Sequence, residues 1–280
     1  MDYYYNDQGF VIKNYNKKNP FANFLPGVAG KMGIPLWAFY VNRAQGISGF
    51  GLQDKNHPIM VFTPANKAYE TVGFDGFRTF IKTDKGFYEP FKVDTPYPHQ
   101  MIINPTSFTI EEENTDLGLR VKVTYFGLPN EKIAGLVRKV FIENISSQPL
   151  KIESLDGIAE ILPSGIQNEA FKSVSNVLAS WIDVNHLDEG FAFYKLRAST
   201  GDSSEVKEVR DGNFYMGFSD DKLIKPIMDK FLVFRQNTSK SLPDHFIETP
   251  LSSILKEKQI AANKIPCGFI PLEKTLNPRD

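Results

Sequence analysis

The sequence predicts an all-β protein, a large antiparallel β-sandwich with one or two short helices. Apolar and polar residues alternate with the two-residue period of strands in several segments, most clearly in residues 119–126. Such segments recur roughly every ten residues with short polar returns, a spacing typical of sandwiches and shorter than that of βαβ units. Aromatic residues, which favour pleated surfaces, make up 13% of the chain.

The predicted strands are joined by turns and loops of recognisable composition. Asp84-Lys85-Gly86 forms a hairpin turn, and an acidic turn over 112–118 joins the clearest strand pair. The Pro-rich segment 90–105 is expected to be a connection or an edge, because proline has no N–H to donate to a central ladder. Residues 199–212 form a polar loop. The predicted strands are 10–12, 36–41, 59–62, 76–83, 87–88, 107–111, 119–126, 134–144, 150–162, 191–198, 214–218 and 231–236.

Two segments have helical spacing. In 168–180 the apolar positions recur at helical intervals, and Asn168 is a candidate N-cap. In 252–263 a helix is expected to direct Ile254 and Leu255 inward. With no low-complexity linker and no internal repeat, residues 1–280 are predicted to form a single domain.

Length, charge and cysteine content narrow the class of protein. A chain of 280 residues can bury roughly three quarters of its unfolded surface, enough for a large core. The net charge of -1 gives no field suited to nucleic acid or an anionic membrane, so neither is expected as a partner. One cysteine, Cys267, excludes an internal disulfide and fits a reducing compartment. Without a signal peptide or a long apolar run, the expected location is cytoplasmic.

Conventional chemical motifs are missing from the sequence. The four histidines (His57, His99, His186 and His245) are too far apart for metal-ligand spacing, so no metal is expected. The acidic run 111–116 lacks the ligand spacing of a calcium loop and is interpreted as a solvated hairpin turn. No pair of carboxylates can be singled out as acid and base, and no catalytic residue is assigned.

Motifs in a fixed order run along the whole chain and concentrate in residues 24–69, where glycines and prolines flank two apolar runs. They resemble the N-terminal region of bacterial glycoside phosphorylases of glycoside hydrolase family 94, with the greatest similarity to the 1,2-β-oligoglucan phosphorylase branch. The motifs are Leu25-Pro26-Gly27, Gly33-Ile34-Pro35-Leu36-Trp37, Tyr40-Val41-Asn42-Arg43, Gln45-Gly46, Phe50-Gly51, Asp54-Lys55, Pro64-Ala65-Asn66-Lys67-Ala68-Tyr69, Gly76-Phe77-Arg78-Thr79-Phe80-Ile81-Lys82, Asn263-Lys264 and Pro266-Cys267-Gly268-Phe269.

This resemblance implies a fold and a function. The fold would be an antiparallel β-supersandwich similar to galactose mutarotase. The parent enzyme would cleave 1,2-β-oligoglucan with inorganic phosphate to give glucose 1-phosphate, without a cofactor. Its catalytic aspartate and phosphate site would lie in a helical barrel, either downstream or in a second subunit. Because no helical array precedes residue 280, and 275–278 resemble a turn after which the family adds strands, the chain is expected to be an inactive fragment. Its open edge would favour self-association, for example a homodimer.

The resemblance implies a β-glucan oligosaccharide as the partner. Several residues in 37–54 have the chemistry of a carbohydrate site, since they combine an aromatic surface for a sugar's C–H face with planar groups for its hydroxyls. The alternative is that the aromatics belong to the core and that Arg43 pairs with Asp54 across a turn. Two other hypotheses remain: a free-standing carbohydrate-binding or mutarotase-like protein, for which no catalytic His and Glu pair is identifiable, and a nonfunctional remnant. The candidate carbohydrate-binding residues are Trp37, Tyr40, Asn42, Arg43, Gln45 and Asp54.

Overall fold

The computed structural model describes residues 1–25, 35–199, 204–205 and 208–279, and over these residues the protein is mostly β, with several antiparallel sheets and few, short helices. The motif residues Pro26, Gly27, Gly33 and Ile34 lie outside the described residues. No helix among the described residues is long and apolar enough to cross a membrane.

The strands are β1 Tyr3–Asn6, β2 Gly9–Lys13, β3 Ala22–Leu25, β4 Leu36–Val41, β5 Ile47–Leu52, β6 Pro58–Met60, β7 Phe77–Thr83, β8 Gly86–Tyr88, β9 His99–Ile103, β10 Ser107–Asn114, β11 Leu119–Gly127, β12 Leu136–Asn144, β13 Leu150–Ile158, β14 Ile182–Asn185, β15 Ala192–Leu196, β16 Gly212–Tyr215, β17 Gly217–Ser219, β18 Lys222–Ile224 and β19 Gly268–Leu276. The α-helices are α1 Ala65–Asp75, α2 Asn168–Ala179, α3 Phe231–Phe234, α4 Asp244–Glu248 and α5 Leu251–Ile254.

Three of the sheets surround one core. The six-stranded sheet has the order β1-β2-β9-β10-β11-β12, and two four-stranded sheets have the orders β19-β13-β7-β8 and β3-β4-β5-β6. Phe108 on β10 stacks on Tyr40 of β4, with ring centroids 4.5 Å apart. Tyr125 on β11 lies 5.8 Å from the ring of Phe77 on β7. The same apolar cluster therefore holds the three sheets together. Smaller sheets, β14-β15-β16 and β17-β18, complete the described strands.

The hairpin predictions are confirmed. Strands β10 and β11 pair antiparallel from Ser107 opposite Phe126 to Asn114 opposite Leu119, and β7 returns into β8 through the turn at Asp84 and Lys85. The predicted helix at 168–180 is also present as α2. Its first residue, Asn168, does not cap it by a side-chain bond; its Oδ1 accepts the Phe62 N–H instead, at 3.0 Å.

Two predictions on the Pro-rich and acidic segments are wrong in part. β9 lies inside the six-stranded sheet, between β2 and β10, although it belongs to the segment expected at an edge. It has no proline between His99 and Ile103, so every residue of this strand has an N–H to donate. The acidic turn is shorter than predicted, because β10 continues through Asn114. The strand β1 and the helix α1 were not predicted.

Two apolar runs near the end of the chain also differ from the prediction. The segment 231–236, predicted as a strand, contains the helix α3. Its first turn is stabilised by Asp229, whose Oδ1 accepts the Phe231 N–H at 3.1 Å. The helix predicted at 252–263 is only α5, which follows Pro250 and ends at Ile254. Ile254 is buried as expected, but Leu255 is 53% exposed. Short apolar runs do not distinguish helix from strand by periodicity alone.

Candidate functional site

Two of the six predicted sugar-binding residues, Trp37 and Tyr40, lie on β4, and the other four follow β4 or β5. Both faces of β4 are covered. Leu36, Ala38 and Tyr40 alternate toward the core shared by the three sheets. Trp37, Phe39 and Val41 lie on the opposite face, in a separate cluster with the helix α1. Because α1 covers that face, β4 is an apolar run with no polar alternation. Trp37 has the most exposed side chain of the three aromatic residues on this strand.

Two glycines of β5 make room for the indole of Trp37. Trp37 pairs directly with Gly51 across the two strands, and Gly49 is the next residue on that face. A methyl group added at Gly51 would lie 3.0 Å from the Trp37 ring and 2.3 Å from the His57 carbonyl oxygen. Trp37 Nε1 donates to the Asp54 carbonyl oxygen at 2.8 Å. The ring is therefore fixed in position by a glycine floor and a backbone hydrogen bond.

Tyr40 and Asn42 are buried and partnered within the chain. Tyr40 is 2% exposed and Asn42 is fully buried. The amide of Asn42 accepts the Phe21 N–H at 2.9 Å and donates to the Asn19 and Tyr15 carbonyl oxygens at 2.9 Å and 3.2 Å. All its hydrogen-bonding groups hold the chain before β3 against the end of β4.

Arg43 and Asp54 do not pair, so that interpretation of the turn is wrong. Arg43 donates to the carbonyl oxygens of Asn42 at 2.7 Å and Lys18 at 2.9 Å. Burial lowers the pKa of Arg43, and the side chain remains half-buried. Asp54 is exposed and accepts the Asn56 N–H at 2.7 Å and contacts His57 Nδ1 at 3.0 Å. These bonds lower the pKa of Asp54.

Gln45 belongs to a different cluster, centred on Arg138, which we call the arginine cluster. Arg138 on β12 donates to both carboxylate oxygens of Asp156 on β13, at 2.9 Å and 2.7 Å. It also donates to Gln45 Oε1 at 2.5 Å and to Thr79 Oγ1 at 3.0 Å, and it bonds the hydroxyl of Tyr125. The six-stranded sheet, the β7–β13 sheet and the β4–β5 turn therefore meet at one buried guanidinium.

The charges of the arginine cluster compensate each other. Burial by itself disfavours the charged guanidinium, but the neighbouring Asp156 carboxylate outweighs this and the pKa of Arg138 is raised. The Arg138 side chain is 6% exposed and that of Asp156 is 20% exposed. A bidentate pair with further donors and acceptors around it is the arrangement in which a buried charge is best tolerated. Neither Arg138 nor Asp156 lies in a recognisable motif, so the sequence alone does not predict this cluster.

A second buried cluster contains a histidine and a glutamate, and we call it the His–Glu cluster. His99 on β9 lies directly opposite Glu112 on β10, and both side chains face the core. Tyr88 donates to Glu112 Oε1 at 2.6 Å, and the Tyr15 ring lies edge-on to His99 with centroids 5.1 Å apart. His99 Nε2 and Glu112 Oε2 have no hydrogen-bond partner among the described residues. Burial raises the pKa of Glu112 and lowers that of His99.

The His–Glu cluster corrects two statements from the sequence. The acidic run predicts Glu112 in a solvated turn, but Glu112 is fully buried in β10. A His and Glu pair facing one sheet, which was not identifiable, is formed by His99 and Glu112. The signal that could have found Glu112 is the period-two series that starts at Phe108 and Ile110 and continues through Glu112.

A surface groove lies away from these residues. It has a volume of about 1070 Å³ and is bordered by β14, β18 and α5. Its walls combine apolar residues such as Leu223 and Leu255 with charged residues of both signs, lysines and carboxylates. None of the six predicted sugar-binding residues lines it. Across the described residues, no three metal-binding side chains come together.

The structure thus divides the six predicted residues among four places. Trp37 and Asp54 meet at the end of the β4–β5 hairpin, Asn42 and Arg43 bind the chain before β3, and Gln45 joins the arginine cluster. Tyr40 lies in the core. The chain matches no protein-family model, and it matches none of the curated proteins.

Proposed function

We propose that this chain is the N-terminal β-sandwich portion of an inverting β-glucan phosphorylase, which uses inorganic phosphate to cleave 1,2-β-oligoglucan and release glucose 1-phosphate. In this proposal the antiparallel sheets belong to a galactose mutarotase-like supersandwich. The chain supports the substrate cleft and supplies no catalytic residue. The general acid and the phosphate site are those of a helical barrel, in a downstream segment or a second subunit.

The polar residues that follow β4 are the main support for a structural role of this chain. Asn42, Arg43 and Gln45 direct their side-chain donors to groups of their own chain. A catalytic or ligand-binding group needs free donors or acceptors aimed at the ligand, whereas a side chain already bonded on every side fixes the backbone. The polar residues of these two motifs, Asn42, Arg43 and Gln45, therefore favour a scaffold over an open active site.

Sugar contact in this proposal is limited to the open end of the β4–β5 hairpin, opposite the 42–46 turn, where Trp37 and Asp54 lie. Trp37, Arg43 and Asp54 keep exposed surface, while Tyr40, Asn42 and Gln45 are buried. A partly exposed indole beside an exposed carboxylate can stack on a sugar ring and accept a hydroxyl. This is a small contact surface, which suits one edge of a larger cleft.

The test separates support from catalysis. The purified chain is incubated with 1,2-β-glucooligosaccharides and inorganic phosphate, and glucose 1-phosphate is measured. We expect no release, and release above the buffer control would refute the non-catalytic assignment. Glycan binding is then followed by NMR titration. Trp37→Ala should abolish any shift changes, whereas Trp181→Ala, the matched change in a different apolar cluster, should preserve them.

The second candidate, a free-standing carbohydrate-binding or mutarotase-like protein, is favoured by one observation, the His99 and Glu112 pair on neighbouring strands. Against it, Glu112 is fully buried and His99 is 4% exposed, so a sugar cannot reach them without a rearrangement. Polarimetry of freshly dissolved α-D-glucose tests this candidate. We expect no acceleration of mutarotation; acceleration that disappears in Glu112→Gln would establish the second candidate in place of the first.

A further inference from the structure

We propose that the chain forms a symmetric dimer through the outer edge of β12, which pairs antiparallel with β12 of a second copy about a two-fold axis at Phe141. The inference does not depend on the proposed function. It rests on which backbone groups of β12 are unpaired and on the order of charges along the strand.

β12 is an edge strand of the six-stranded sheet and pairs with β11 on one side only. At its two ends, the Gly135 carbonyl accepts the Leu128 N–H and the Ile145 N–H donates to Gly118, both toward the β11 side. Backbone groups alternate in direction along an antiparallel strand, so those of Val140 and Ile142 point away from β11. Within the described part of the chain these outward groups have no hydrogen-bond partner.

The open part of this edge is short and has a defined end. The carbonyl oxygen of Asn144, which also points outward, accepts the Arg279 N–H at 2.7 Å. The unpaired edge therefore ends before Asn144 and is centred on Val140 and Phe141. An exposed edge of this kind is a template for another strand, because each unpaired N–H and C=O can pair with a second backbone.

The charges along this edge are self-complementary. Lys139, Phe141 and Glu143 lie on the outer face in that order. When two copies pair antiparallel about Phe141, each Lys139 lies opposite Glu143 of the other copy, and the two Phe141 rings meet. Opposite charges in directly facing positions stabilise a strand pair, and like charges destabilise it. A shift of the axis to Lys139 would place two lysines opposite each other.

The present surroundings of these residues leave the charges unbalanced. Lys139 is exposed and has no acidic partner among the described residues. Glu143 shares one guanidinium, Arg120, with Glu111 and Glu113, at 2.7, 3.6 and 2.6 Å. Three carboxylates around one arginine leave excess negative charge where a second copy would place its Lys139. The Phe141 side chain is 49% exposed and would be covered by its symmetry mate.

The backbone directions agree with the same axis. With Phe141 at the axis, Val140 lies opposite Ile142 of the other copy, and both direct their N–H and C=O groups across the junction. The two Phe141 residues then form a non-hydrogen-bonded pair, in which side chains approach more closely. Leu136, Val140 and Ile142, which are partly buried at the margin of the core, would gain cover on the inner face. The junction is small, so we expect a weak dimer, roughly micromolar or weaker.

Charge reversal tests the pairing. Sedimentation velocity over a concentration series is measured for the unchanged chain, for Lys139→Glu, and for Lys85→Glu, which makes the same charge change in the exposed β7–β8 turn. We expect Lys139→Glu to raise the dissociation constant by about tenfold or more, because the symmetry creates two like-charge pairs, and Lys85→Glu to leave it within about twofold. Added salt should weaken the unchanged dimer and strengthen the Lys139→Glu dimer.

Cysteine trapping tests the register. Phe141→Cys should form an intermolecular disulfide under mild oxidation, since the facing Cβ atoms of a non-hydrogen-bonded pair are close. Lys139→Cys should not form a disulfide, because residue 139 of each copy lies opposite Glu143 of the other copy and the two cysteines are far apart. The one native cysteine, Cys267, is buried and serves as the background. A monomer at every concentration would overturn the proposal. So would equal effects of the two charge reversals, or equal trapping at positions 139 and 141.

Discussion

The arginine cluster and the His–Glu cluster place charged or titratable groups in the same mostly apolar core, but they satisfy these groups to different extents. Arg138 has a carboxylate, an amide oxygen and two hydroxyl oxygens as partners. In the His–Glu cluster, Tyr88 and the Tyr97 carbonyl each bind one atom, while His99 Nε2 and Glu112 Oε2 have no partner among the described residues.

This difference separates two consequences of burying polar groups. Removing one partner of a buried and fully bonded ion pair is costly. The stability that the pair provides changes little near neutral pH, because both groups stay charged there. A group with an unpaired buried atom costs stability in its charged form, and its pKa shifts toward the neutral form. The arginine cluster should therefore fix the position of the sheets, and the His–Glu cluster should make stability depend on pH.

The largest effect is expected from Arg138→Met. The change leaves the Asp156 carboxylate without its main partner, and breaking a buried ion pair from one side costs about 3 kcal/mol. The free energy of unfolding, measured by urea denaturation, should fall by that amount. The double variant Arg138→Met with Asp156→Leu removes both charges and should recover most of the loss. If the double variant is as unstable as the single one, the cluster stabilises by packing and not by charge pairing.

A smaller and pH-dependent effect is expected from Glu112→Gln. Burial raises the pKa of Glu112 above its ordinary value of 4.5, so the folded chain holds this proton more tightly than the unfolded chain. The stability from this group is present below pH 4.5 and is lost as pH rises through the folded-state pKa. Glu112→Gln removes that loss and should be the more stable protein at pH 8, by about 1–2 kcal/mol.

The measurement for Glu112 is urea denaturation at several pH values between 4 and 8. Glu111→Gln is the matched control, since Glu111 is next in sequence but lies on the outer face beside Arg120. The stability difference between the unchanged chain and Glu112→Gln should grow with pH, and that of the control should not. A constant difference at every pH would contradict the assignment of Glu112 as a buried titrating group.

The smallest effect is expected from His99→Gln, and its pH dependence has the opposite sign. Burial lowers the pKa of His99 below its ordinary value of 6.5, so the unfolded chain takes up the proton first. Stability from this group is present above pH 6.5 and is lost as pH falls toward the folded-state pKa. His99→Gln keeps a donor for the Tyr97 carbonyl and should lessen the acid loss by about 1 kcal/mol or less. An unchanged acid limb of the stability profile would show that His99 does not titrate there.

Much of the local structure was predictable, because it depends on short-range pattern. The β10–β11 hairpin follows from alternation in 119–126, and α2 follows from helical spacing in 168–180. Where the pattern is short, the prediction was wrong. The apolar run at Phe231–Phe234 fits a strand or a helix equally well, and the Asp229 contact at its start selects the helix.

The candidate sites were less predictable than the strands. The sequence placed Trp37, Asn42 and Gln45 in one segment, but neighbours in sequence point to different surroundings in a strand and its turn. Gln45 bonds to Arg138 and Thr79, residues far from it in the chain. Arg138 and Asp156 have no motif, and only their meeting between two sheets makes them a cluster.

The sequence by itself determined the class of this protein, a mostly β chain with antiparallel hairpins, because alternation and turn residues act over a few positions. Only the tertiary structure decided which polar residues are buried together and which strand edge is left unpaired. Those outcomes depend on how sheets distant in sequence pack and on which ladders they complete. The register that sets Glu112 opposite His99, and the open edge at Val140 and Ile142, are both results of that packing.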